Sequence, residues 1–153
     1  MRKSFFKRKP YEARKPPKRA KLRYRGISDT SVIKDAIQGL LRQIVIKRDG
    51  TCILRKLRHC TDEVLQADHL ITRANSATYG DSRLVVCLCR SCHGGYKQWH
   101  KEEYDRLVKS ILPKERVELW ERCEIERSRF STGQKYDWAL IKVSLEQELA
   151  KIL

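Results

Sequence analysis

An α+β domain is the fold class this sequence predicts: a small ββα core with flanking helices and a disordered basic N-terminal arm. Three observations carry it. Two apolar runs, VLQADHL and LVVCLC, are bounded by polar turns and read as short strands. Cys89-x-x-Cys92-His93 closes the second run into a turn that leads to a helix, and the stretches on either side repeat apolar residues at helical spacing. A chain of 153 residues with 41% hydrophobic content can build one modest core and not a second full domain.

The first element is the arm, residues 1–27. Residues 1–25 hold twelve Lys/Arg against Glu12 alone, which gives this stretch +11 of the chain's net +15. Pro10, Pro16 and Pro17 and the like charges leave it unable to fold alone, so it is expected to be disordered until it meets a polyanion. Lys18 and Arg19 lie in its densest basic run, and Phe5, Phe6, Tyr11 and Tyr24 offer rings that stack on unpaired bases. A solubilising tail or a targeting address is the plainer reading of the same composition.

A helix follows. Ser28 to Ser31 offer N-caps, Ile33, Ile37, Leu40, Leu41, Ile44 and Val45 recur at helical spacing, and Arg48-Asp49-Gly50 is a stop. Residues 51–63 read as an irregular knuckle, 64–69 as a strand, 70–83 as a loop, 84–88 as the second strand and 92 onward as a helix, so the core unit spans 28–112. Residues 113–153 form a helical extension after Pro113, interrupted at Ser131-Thr132-Gly133. Its last helix carries Trp138, Ile141, Leu145, Leu149 and Ile152 along one seam, which packs on its own domain or on a second copy as a homodimer.

No run reaches the roughly twenty apolar residues of a membrane span and no secretory signal is evident, so an intracellular, cytoplasmic setting is expected. In a reducing compartment clustered cysteines more often hold metal than form disulfides. Cys89 and Cys92 form a tight knuckle, and Cys52 and Cys60 a looser one with seven residues between them, with His59 or Cys87 as alternatives to Cys60. Together they suit a structural Zn²⁺, whose binding supplies folding free energy on the order of 10 kcal/mol in isolated fingers.

Asp68-His69 at the end of the first strand and His93 at the start of the helix place a carboxylate and two imidazoles where they can converge, a set that suits a hydrolytic metal ion. On a regular strand Asp68 and His69 face opposite sides, which a twist or bulge must overcome. Over about residues 44–105 the order of these parts resembles the HNH endonucleases, a branch of the ββα-metal nucleases. The resemblance implies a divalent-metal-dependent DNA endonuclease: His69 as general base, with Asp68 and His93 as ligands of a catalytic Mg²⁺ or Mn²⁺. The family's middle Asn falls here on Leu84, which cannot brace the loop, so Ser82, Asn75 or Asp81 is expected to do so. Arg73, Arg83, Lys97 and His100 are the core's candidate DNA contacts, Lys97 and His100 lying with Tyr96 and Trp99 just past Gly94-Gly95.

A narrower likeness rests on RDGTCILRKLRHC, LQADHLITRAN, CHGGYKQWHKEEYDRLV and PKERVELWE, which look similar to phage recombination endonucleases of the NinG/Rap kind. It implies a branched DNA substrate and a dimer that sets two sites on two strands. The competing reading is a non-catalytic, zinc-stabilised nucleic-acid-binding protein, for which the arm and the cysteines suffice.

Overall fold

A computed structural model describes residues 29–60, 64–126 and 136–153. The arm, with Lys18 and Arg19, lies outside the described residues. The fold is α+β, mostly helical around one two-stranded sheet.

Helix α1 (Asp29–Asp49) starts with an acidic residue and carries Lys47 and Arg48 in its last turn, a placement that its dipole favours. Its periodic face buries Ile37, Leu41, Ile44 and Val45. Gly50 ends it at φ 69°, a left-handed conformation that glycine adopts without strain, and its N–H bonds the Ile46 carbonyl.

Strand β1 (Leu65–His69) runs antiparallel to β2 (Val85–Cys89), with Asp68 opposite Val86 and His69 opposite Val85. An isolated pair of strands is marginal in water, and this one is stabilised by cover on both faces. Val85 and Cys87 pack with α1 and with Leu145 and Leu149 of α5 (Trp138–Ile152). Val86, Leu88 and Cys89 pack with the knuckle residues Cys52 and Leu54 and with Tyr104, Val108 and Trp120. Those last three come from α3 (Lys101–Ile111) and α4 (Lys114–Glu126). All five residues of β2 are therefore buried, and the expected seam of α5 is used on its own domain.

Two local departures from the expected elements bear on the site. Residues Ser82–Leu84 form a 3₁₀ turn capped by the Asp81 carboxylate, which moves the start of β2 to Val85. Past β2 the chain makes a π-helical segment, Ser91–Tyr96, then the short α2 (Lys97–Trp99), and breaks at His100 before α3. Gly94 and Gly95 sit inside that segment, where the low helix propensity of glycine lets the wider winding compete.

The pair Arg48-Asp49, expected only to stop α1, ties that helix to β2. Arg48 donates to Asp49 Oδ1 (2.7 Å) and to the carbonyls of Ser82 (2.9 Å) and Val85 (2.7 Å), while Asp49 Oδ2 accepts from the Cys87 N–H (2.9 Å). Asp49→Ala leaves that N–H and a half-buried guanidinium short of acceptors and is expected to cost about 2–3 kcal/mol, read as a lower midpoint in urea with an unchanged slope.

Candidate metal centre and adjoining cleft

Four thiols converge at the open end of the hairpin, away from the loop that joins its strands. Cys52 comes from the knuckle after α1, Cys60 from its far end, Cys89 from the last position of β2 and Cys92 from the π-helical turn, and their sulfurs lie within 4.8 Å of one another. Cys60 Sγ is 3.6 Å from Cys52 and 3.5 Å from Cys92. Four Zn–S bonds of about 2.3 Å would put tetrahedral sulfurs roughly 3.8 Å apart, so the set has the size of a four-thiolate site. Cys60, not His59 or Cys87, completes it: His59 is exposed, and Cys87 packs on the other face of the sheet with α1. Burial pushes Cys60 upward and raises Cys92 to about 12. Burial acts the same way on Cys89, but hydrogen bonds from Ser91 and the Cys92 backbone outweigh it and bring that thiol down to about 6. One sulfur of the four is thus close to the thiolate a metal requires.

Along the exposed side of β1 runs a cleft of about 560 Å³, lined by Gln38 and Arg42 of α1, Gln66 to His69 of β1, Thr72, Arg73, His93 and Lys97. Strand alternation holds: Asp68 turns toward Tyr104 of α3, and His69 toward Tyr79 on the α1 side. Both still border the cleft, because they sit at the end of a strand whose partner lies only on the other side. No bulge is needed.

Asp68 is 3% exposed and its oxygens are well occupied. Lys97 Nζ donates to Oδ1 and Oδ2 (2.7 Å each) and to the His69 carbonyl (3.0 Å), the Tyr104 hydroxyl donates to Oδ2 (2.7 Å), and His93 Nε2 stands 3.3 Å from Oδ1. Burial alone would raise this carboxyl; the bond from His93, the charge of Lys97 and the Tyr104 hydroxyl together keep it below its ordinary value. The same carboxylate drives the Tyr104 phenol further up than burial alone would.

His69 differs in having a free nitrogen. Among the described residues its buried Nε2 has no hydrogen-bond partner, while the ring bonds the Tyr79 backbone. Burial and then the charge of Arg73 hold it below the ordinary imidazole value, against the pull of Asp68, so the ring is neutral at physiological pH and carries a lone pair.

The structure brings Asp68, His69, His93, Lys97 and Arg73 to one cleft and leaves other candidates elsewhere. Arg83 is exposed and paired with Asp81, lining a separate hollow against α5 with Ser82 and Ile141. His100 lies over Tyr96 beside Trp99, in a depression near Cys92 and Arg58. Of the expected loop braces, Asn75 and Asp81 bond within the loop: Asn75, buried, accepts from the Ala77 N–H and its carbonyl from Thr78, and the Asp81 carboxylate accepts from the Arg83 N–H, whereas Ser82 donates to Glu148 and Leu84 joins the core. Tyr104 and Arg42 border or support the site without having been singled out. The spacing His93, Lys97, Tyr104, four and then seven residues, was the available signal for one helical face.

Among the described residues no helix is long and apolar enough to cross a membrane. No family model matches this chain, and neither the curated proteins nor the solved structures contain one that matches it.

Proposed function

We propose that the protein is a divalent-metal-dependent DNA endonuclease of the HNH type, its hairpin held by a structural zinc. The observation that carries the reading is His69, neutral and with its buried Nε2 unpartnered among the described residues, on the wall of a cleft that also holds Asp68 and His93 and is bordered by Arg42, Arg73 and Lys97. Three cations against one carboxylate suit a polyanion, and a buried base with no partner of its own suits a water molecule that must lose a proton.

Hydrolysis of a phosphodiester needs a deprotonated oxygen, neutralisation of the charge growing on phosphorus and help for the leaving oxygen. His69 takes the proton of the attacking water at Nε2, and its bond to the Tyr79 backbone fixes the ring. Arg73 and Arg42 hold the phosphate from the two sides of the cleft. Asp68 Oδ1 and His93 Nε2 would hold Mg²⁺ or Mn²⁺: their 3.3 Å separation is near the roughly 3.0 Å between adjacent ligands at bonds of about 2.1 Å. When bound, that ion supplies Lewis-acid stabilisation of the phosphate and of the leaving 3′ oxygen. The product then carries a 5′ phosphate, as in the nucleases this chain resembles.

Branched DNA, the substrate implied by the narrower likeness, belongs to this proposal, as does a homodimer. With the apolar seam of α5 packed on α1, a second copy would have to use the outward stripe of Leu140, Val143 and Leu153. The arm adds salt-dependent affinity for phosphates. The test is to incubate supercoiled plasmid and a four-way junction with the full chain, with and without Mg²⁺ or Mn²⁺. Nicking that appears only with the ion supports an enzyme; a chain that binds both DNAs and cuts neither, with every ion tried, is the zinc-stabilised binding protein instead.

A further inference from the structure

Lys97 occupies the position that a cation at Asp68 would share. A carboxylate offers about four acceptor positions, and here all are used: Oδ1 faces Lys97 and His93, and Oδ2 faces Lys97 and Tyr104. A divalent ion bonded to Oδ1 would stand within a few ångströms of the ammonium, with two cations confined beside one buried carboxylate. One neighbour must give way. Tyr104 is fully buried in the core beneath the sheet, and His93 is the proposed companion ligand. Lys97 alone among the three has a long flexible stem, and it borders the cleft with its side chain 19% exposed.

We propose that Lys97 gates the cation position: its ammonium neutralises Asp68 in the metal-free chain and moves onto a phosphate of the substrate when the divalent ion takes Asp68. The inference rests on the reading of Asp68 and His93 as cation ligands and adds to it a coupling between ion and nucleic acid. Because a phosphate draws Lys97 away, DNA tightens the ion, and by linkage the ion tightens DNA by the same factor. The device keeps a buried carboxylate paired at every stage, where an unpaired one would be costly. Lys97 is thus a positioning residue that sets when the ion can enter.

The test is titration of the zinc-loaded full chain with Mn²⁺ alone, followed by the spin resonance of the free ion. Lys97→Gln, with Lys97→Met as a second removal variant, is expected to bind Mn²⁺ about tenfold or more tightly than wild type, while Lys97→Arg, which keeps the charge, stays within about threefold. Zinc content and the far-ultraviolet spectrum identify variants that have folded. Binding by wild type that Asp68→Asn abolishes, together with equal or weaker binding in both removal variants, overturns the gate and leaves the cation site standing. If wild type and the removal variants all fail to bind Mn²⁺, or if Asp68→Asn binds it undiminished, the cation reading falls and the gate with it.

Discussion

Stripping the metal from the four-cysteine knuckle, by chelator or by Cys92→Ser, lowers the melting temperature by roughly 10–20 °C, the shift expected for a loss of about 5 kcal/mol in a chain of this size. Among the described residues the knuckle has few other ties, the Arg58 guanidinium over the Tyr96 ring (3.3 Å) being one. Between Gly50 and Cys60 only Cys52 and Leu54 are buried, and one backbone bond, from the Ile53 N–H to the Cys87 carbonyl (3.0 Å), ties the segment to the sheet. Cys52, Cys89 and Cys92 are also members of the larger apolar cluster, so opening the knuckle exposes Leu88, Tyr96 and the neighbouring faces of α3 and α4. In zinc-finger peptides the metal contributes about 10–16 kcal/mol of apparent binding energy; here the helices supply a core of their own, so the loss is a fraction of that. Metal analysis of the purified chain should give one zinc, absent from Cys92→Ser and retained in Cys123→Ser, whose thiol is buried in α4 away from the cluster. An unchanged melting temperature in protein freed of zinc would refute the structural role.

The elements with strong local signals are legible in the sequence. α1 has cap-forming residue types at its start, a clean period and a glycine stop, and its bounds are close to those read from the sequence. The cysteine set was legible because metal ligation needs particular residues at short spacing, although the choice among Cys60, His59 and Cys87 required the fold. What the chain hid are relations between distant residues. The sequence marks Lys97 as a candidate DNA contact, and only the fold, which brings α2 to the end of β1, sets its ammonium on Asp68. Tyr104 is a buried residue of α3, yet its hydroxyl is a partner of the same carboxylate. Arg83 is the last residue of the expected loop but is turned away by Asp81, which both caps the 3₁₀ turn and pairs with it. Local composition carries no information on such choices, because a charge is placed by whichever partner the tertiary fold brings nearest.

His69→Ala is the substitution with the largest expected effect on chemistry. A positioned general base contributes about 10²–10⁴ in rate, and cleavage by the variant is expected to fall by a factor in that range in single-turnover measurements. Stability should change little: the ring is half-buried at the rim of the cleft, and among the described residues its Nε2 has no partner to lose and the one bond given up is to the Tyr79 backbone. The partners of Asp68 and the four cysteines do not involve the His69 side chain, so zinc content and Mn²⁺ binding should survive. DNA affinity should survive too, because the neutral imidazole adds no charge to a cleft whose cations are Arg42, Arg73 and Lys97. That combination, rate lost with metal and DNA binding kept, separates a base from a structural histidine. A His69→Ala protein that cuts DNA at the wild-type rate would remove the imidazole from the mechanism and leave the cleft's cations as a binding surface alone.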